Sequence, residues 1–346
     1  MILESYSDEP LGKRAPALAG EKPIMASVLS ETAARVAAKY SSILTEYQCL
    51  FVMGAPRSGT SWLHNMIAEH PCVFSKPGET TFFPNHVTPA EKAWSEEKQD
   101  LAEREWWSRG LPNKITETNY FEVLARFVHG FYQKLETDNG CTHYVEKAPE
   151  NVHAVHTIKK YAPNARFIHI VRDGRNVAIS MISAQRRLGL GAGNVLEGAQ
   201  EWTQHVCAGR EAGRYEGAYY EVKYESMLAD GAAELKRIYD FCQLDYTDDL
   251  VNDIVAGHDF SNKSDGLETS GVTRIKGNIH EGWREKMTPM DRYLFDIVAG
   301  DLLMELGYAE PDWWCDSSLQ WLRLKIQRRI AWEIISRVKR LFSRHL

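Results

Sequence analysis

The run "FVMGAPRSGTSWLHNMI", residues 51–67, constrains the fold more than any other stretch of this 346-residue chain. Its first half belongs to "CLFVMG" (49–54), a short apolar run without alternation, the pattern of a strand buried on both faces. The run breaks into Gly, Pro, Arg, Ser and Gly, then resumes with Trp62, Leu63, Met66 and Ile67 at helical spacing until "EHP" ends the helix. A strand buried on both faces needs helices above and below it, and the rest of the chain supplies them. "YVEK" (144–147), "ARFIHIVRDG" (165–174) and "GAYYEVKYESM" (217–227) read as strands, the second continuing into the helix "RNVAISMISAQRRL". Helical patterns around 89–109 and 119–137, and Pro149 at a first helical turn, fill the gaps. Alternating strands and helices predict an α/β fold with a central, mostly parallel sheet flanked by helices in three layers.

Composition removes several classes of function. With 44% hydrophobic and 25% charged residues the chain has the makeup of a globular protein with a sizeable core. A formal charge of −6 offers no global field for phosphate backbones, so nucleic acid is not an expected partner and any anion site must be local. Cys49, Cys72, Cys141, Cys207, Cys242 and Cys315 are scattered with no CxxC pair, which argues against a disulfide framework or a zinc site. No signal peptide or spanning segment is visible near residue 1, and the expected location is cytoplasmic.

Ligands of such sheets sit where strand ends turn into helices. "GAPRSGTS" has the frame of a P-loop-like phosphate-binding turn, with Gly54 and Gly59 at the two glycine positions of GxxxxGK[ST] and N–H groups at Gly59, Thr60 and Ser61 directed at an anion. Thr60 stands where a nucleoside-triphosphate enzyme has its lysine, and the cation has moved to Arg57, which disfavours a kinase. A plain glycine-rich connection is the alternative. A second anion signal is "VRDGRNVAIS": Arg172 leaves a buried strand and Ser180 lies about two helical turns on, so both can grip one phosphate. Pairing of Arg172 with Asp173 is the competing reading.

Together these stretches resemble the sulfotransferases that use 3′-phosphoadenosine-5′-phosphosulfate (PAPS). "PRSGTSWL" resembles that family's 5′-phosphosulfate loop, and Arg172 with Ser180 its 3′-phosphate motif. The resemblance implies nucleotide contacts from Arg57, Ser58, Gly59, Thr60, Ser61, Trp62, Arg172, Ser180 and Tyr224. Arg274, Lys276 and Gly277 of "RIKGNIHEGWREKMTP" would close over the 3′-phosphate. In "HPCVFSKPGETTFF", similar to tyrosylprotein and heparan-sulfate enzymes, Glu79 takes the place of the catalytic base, and "EKAPEN" puts Lys147 near the sulfuryl group, with Arg57 as the other catalytic cation. "VRDGRNVAISMIS" and "VKYESM" look most like the tyrosylprotein branch. PAPS is the implied co-substrate, with no metal required. The acceptor would be a small molecule, a glycan, a lipid-linked hydroxyl or a phenolic tyrosyl group.

The chain departs from that branch at two places. Ala184 stands where the branch has a second arginine, with Arg186 and Arg187 nearby. Gly282 replaces a lysine before Trp283, leaving Lys276, Arg284 or Lys286 to substitute. Trp94, Trp106 and Trp107 are either acceptor platforms or core, and His153 with His156 lacks a third metal ligand.

The expected organisation is an N-terminal extension (1–45), a sulfotransferase domain (46–312) and a basic amphipathic helix (313–346). Residues 318–346 carry eight Lys or Arg against the single acid Glu333, and Leu319, Leu322, Ile326, Ile330, Ile334, Val338 and Leu341 form one apolar stripe. That pattern predicts a peripheral contact with an anionic inner membrane face, docking on protein being the alternative; a homodimer is left open.

Overall fold

The computed structural model describes residues 39–103, 109–137, 140–258 and 282–315. Arg274, Lys276 and Gly277, Trp106 and Trp107, the segment 318–346 and residues 1–38 of the expected extension lie outside the described residues.

The described chain runs through β1 (Gln48–Met53), α1 (Thr60–Ala68), β2 (Val73–Ser75), α2 (Thr88–Glu103), α3 (Glu117–Tyr132) and β3 (His143–Lys147). It continues through α4 (Val155–Tyr161), β4 (Arg166–Val171), α5 (Gly174–Leu188), α6 (Val195–Arg210) and β5 (Tyr219–Lys223). Five further helices follow, α7 (Tyr224–Ala229), α8 (Gly231–Cys242), α9 (Asp248–Gly257), α10 (Gly282–Lys286) and α11 (Pro289–Glu305). The five strands form one sheet in the order β2-β3-β1-β4-β5, with every pair parallel. The chain moves from β1 outward to one edge, returns through β3, and crosses to β4 and β5 on the other side. In such a sheet the connections diverge at β1, and the carboxyl ends of the central strands there are where ligands of this fold class bind.

The absence of alternation in β1 has a direct cause. Cys49, Phe51 and Met53 pack into a core under α3 and α4, while Leu50 and Val52 pack into another with α1, α8 and α9. A third core, around Trp202, Trp283 and Phe295, joins α5, α6, α10 and α11. Both faces of β1 are dry, as the uninterrupted apolar run requires.

The sequence pattern and the elements differ in a few places. β2, three residues at the sheet edge, carries too little pattern to be marked. The helix expected around 89–109 runs Thr88–Glu103 and is entered through a wide helical turn, Phe83–Val87. The helix expected around 119–137 is Glu117–Tyr132, started by the Thr116 side chain accepting from Asn119 N. Trp94 is core: its ring stacks on Tyr120 at 4.2 Å and is 2% exposed.

Candidate active site

Parallel pairing brings the strand ends to one edge. The register sets Val52 beside Lys147, Met53 beside His169 and Val171 beside Lys223. The anion loop leaves the end of β1, Lys147 ends β3, Arg172 follows β4 and Tyr224 follows β5, while Glu79 lies in the loop after β2.

The turn after β1 is built around two glycines. A Cβ on Gly54 would lie 2.4 Å from the Ile170 carbonyl oxygen, so the chain passes against β4 only without a side chain there. Gly59 has φ 101 and faces the Tyr224 ring, where a Cβ would meet Cδ2 at 2.7 Å. As N-cap of α1 it offers no side-chain oxygen to the first-turn N–H groups. Ser58 Oγ is buried with no hydrogen-bond partner among the described residues. An orphaned hydroxyl beside an uncapped helix N-terminus fits an oxyanion.

Arginines line the same edge. Arg172 Nη1 donates to the Arg57 carbonyl at 3.1 Å, and its guanidinium lies 4.3 Å from the centre of the Tyr224 ring. Its Nε is buried without a partner among the described residues. The competing pairing with Asp173 is not what forms: that carboxylate accepts from Arg175 Nε and Nη2 at 2.9 and 2.7 Å and caps α5. Arg57, at φ 72, turns its Nε to Ser180 Oγ at 3.2 Å. The two expected anion signals therefore touch each other.

Ser180, Ala184 and Arg187 are spaced to share one face of α5, and Ala184 is buried. Burial, then the charges of Arg187 and Arg172, hold the Arg57 guanidinium below its ordinary value. Such mutual repulsion favours an anion among the three. Arg187 was legible only as a neighbour of the missing arginine; one further turn of α5 brings it to this edge.

At the adjacent strand end Lys147 Nζ pairs with the Glu79 carboxylate; the lysine side chain is 11% exposed and the glutamate 39%. His64, one helical turn after Thr60, completes this part of the site and was not marked by the sequence. Its Nε2 lies 2.8 Å from Ser75 Oγ on β2, and burial together with the Lys147 charge pulls the imidazole below its ordinary value. The i, i+4 spacing from the anion loop was the available signal.

Other side chains around the site have partners among the described residues. Trp62 Nε1 donates to the His258 carbonyl at 3.3 Å and its ring meets Tyr224 edge-on. His70 packs and caps, accepting from Cys72 N at 3.1 Å. Of the substitutes for Gly282, Arg284 stacks on Trp283 at 4.7 Å. His156 Nδ1 meets the Tyr215 hydroxyl at 2.8 Å, whereas the His153 ring packs on His205. Among the described residues no His, Cys, Asp and Glu group of metal-binding size occurs, and no helix is long and apolar enough to cross a membrane.

Comparison with known proteins matches residues 49–248 to the sulfotransferase family model. An uncharacterized protein of Aquifex aeolicus is 23% identical over 258 residues, covering 72% of this chain and 31% of the relative. A putative protein-tyrosine sulfotransferase of Caenorhabditis briggsae is 26% identical over 211 residues, 59% of this chain and 69% of the relative. The protein-tyrosine sulfotransferase of Drosophila melanogaster is 23% identical over 313 residues, 83% of this chain and 58% of the relative. The chain thus spans between 31% and 69% of the length of these relatives. The matched segment covers more than half of the chain and contains the anion loop, the Glu79–Lys147 pair and the Arg172–Ser180 helix; the chain belongs to the sulfotransferase family.

Proposed function

We propose that this chain moves a sulfuryl group from PAPS to an acceptor hydroxyl. The observation that carries the reading is the gathering of Arg57, Arg172 and Ser180 against the Gly59 turn, with the Glu79–Lys147 pair at the neighbouring strand end. In this reading Ser58, Gly59, Thr60, Ser61 and Trp62 hold the 5′-phosphosulfate at the start of α1. Arg172, Ser180 and Arg187 hold the 3′-phosphate, Tyr224 supports both ends, and Arg274, Lys276 and Gly277 contribute from outside the described residues.

PAPS supplies the sulfuryl group: the acceptor oxygen bonds to sulfur as the bond from sulfur to the phosphate oxygen breaks. Glu79 takes the acceptor's proton onto its carboxylate. Lys147, paired with Glu79 before reaction, offsets the carboxylate's charge beside an anionic nucleotide and places a cation near the leaving oxygen. Arg57 and the α1 N–H groups add to that stabilisation. A loose transition state places most of the catalytic burden on positioning and charge, which these residues supply.

The names of the animal relatives make a tyrosyl phenol the first acceptor to test, ahead of carbohydrate and lipid-linked hydroxyls. The donor is tested by calorimetric titration with 3′-phosphoadenosine-5′-phosphate, AMP and magnesium-ATP. Preference for the 3′-phosphorylated nucleotide without metal is the expected result. Preference for magnesium-ATP would replace this reading with phosphoryl transfer.

A further inference from the structure

Behind the Glu79–Lys147 pair, on the opposite face of the sheet, lies a carboxylate that the proposed chemistry does not use. Glu146 precedes Lys147 on β3 and is 3% exposed in the core under α3. Its Oε1 accepts from Thr80 Oγ1 at 2.6 Å, and its Oε2 from the Tyr132 and Tyr144 hydroxyls at 2.8 and 3.2 Å. Three O–H donors satisfy a group that would otherwise be costly to bury. Burial, and next the Glu146 charge, raise both phenols far above their ordinary values, so they remain donors.

The connectivity is the informative part. Thr80 follows Glu79 and Glu146 precedes Lys147, so each member of the ion pair is one residue from the Thr80–Glu146 bond. The loop between them needs fastening. Thr81 sits at φ 42, an unfavourable conformation for a β-branched residue. Phe82 N donates to Thr80 Oγ1 at 3.3 Å, and the Phe82 ring stacks on Phe131 of α3 at 4.3 Å. Thr80 is the point where this strained turn joins the sheet.

We propose that Glu146 is a positioning residue whose buried carboxylate, acting through Thr80, fixes the Glu79 loop and holds Glu79 against Lys147. The proposal rests on Glu79 being the base of the proposed transfer, and it adds a residue that touches neither nucleotide nor acceptor.

The test compares Thr80→Val, which removes the donor, with Thr80→Ser, which keeps it, in the full chain. Hydrogen–deuterium exchange of the 78–82 amides needs no acceptor and decides the mechanical half: Thr80→Val raises exchange there at least about fivefold, and Thr80→Ser restores it. Unchanged exchange in Thr80→Val overturns the proposal even if Glu146→Gln fails to fold. Turnover is read with PAPS and 4-nitrophenol as the probe acceptor. Thr80→Val lowers kcat by about 10- to 100-fold with the KM for PAPS nearly constant, and Thr80→Ser recovers most of the loss. Tyr132→Phe, which spares the Thr80 bond, lowers Tm at least as much but kcat less. A Thr80→Val enzyme with full kcat beside an inactive Glu79→Gln enzyme overturns the positioning role alone. An active Glu79→Gln enzyme instead removes the base reading, while the exchange experiment still reports on the Glu146 clamp.

Discussion

At the scale of single residues, the site sets a pair matched in charge beside a cluster of arginines. Glu79 and Lys147 neutralise one another. Removing the base's charge with Glu79→Gln is expected to lower turnover by at least about 100-fold while nucleotide affinity stays near normal, as calorimetry and initial rates on the same preparation would report. Arg172 holds no ion pair among the described residues, its planar face being spent on Tyr224. Arg172→Ala is expected to weaken 3′-phosphoadenosine-5′-phosphate by about 10-fold or more and AMP much less, because a charge-assisted bond is lost only where the 3′-phosphate exists. Equal losses for both nucleotides would assign Arg172 to a different phosphate.

At the scale of elements, the segment carrying Arg172 is positioned by its neighbours. Trp202 of α6 is fully buried and donates from Nε1 to the Arg172 carbonyl at 3.0 Å. Glu225 of α7 accepts from Asp173 N at 3.1 Å and from the Tyr308 hydroxyl at 2.9 Å. Helices on both sides therefore hold the end of β4. Trp202→Phe leaves the Arg172 carbonyl unpartnered and a gap beside it, and is expected to cost about 1–3 kcal/mol in denaturant unfolding. The same variant is expected to bind the product nucleotide more weakly, although Trp202 itself lies in the core. Full affinity in a destabilised Trp202→Phe protein would mean that α6 supports the fold but not the site.

At the scale of the whole molecule, three buried histidines make stability depend on pH. Burial pushes His129, His169 and His205 down to about 4 from an ordinary 6.5. Each keeps one ring nitrogen bonded, to Ser42 Oγ, the Tyr219 hydroxyl and the Glu201 carbonyl respectively, and leaves Nε2 without a partner among the described residues. Below 6.5 the unfolded chain binds protons that the folded chain refuses. Their stabilising contribution is thus complete above about 6.5 and is lost as pH falls toward 4, by about 1.4 kcal/mol per histidine for each pH unit. Thermal melts at pH 7, 6 and 5 should show falling Tm, with a shallower slope in His129→Gln; a flat profile would refute the assignment. The tail is a second property of the whole chain. With a charge of +7 against −6 overall, residues 318–346 are expected to carry the protein onto anionic vesicles in low salt, and deleting them should abolish co-sedimentation.

What the sequence by itself determined was local and periodic. The apolar run of β1, the glycines at 54 and 59, and Arg172 at the end of β4 each express a backbone or burial requirement met within a few residues. The candidate base and the cations Arg57 and Lys147 were legible by resemblance, but which of the two pairs with Glu79 was not, because 68 residues separate Lys147 from it along the chain. Only the parallel register and the crossover from β3 to β4 decided that Arg57 meets Ser180 across 123 residues and that Arg172 lies over the Tyr224 ring. The same is true of His64 beside Ser75 and of Glu146 beneath Thr80. Such contacts depend on which face of the sheet a side chain enters and what packs there, and that is set by distant segments meeting, not by any local pattern.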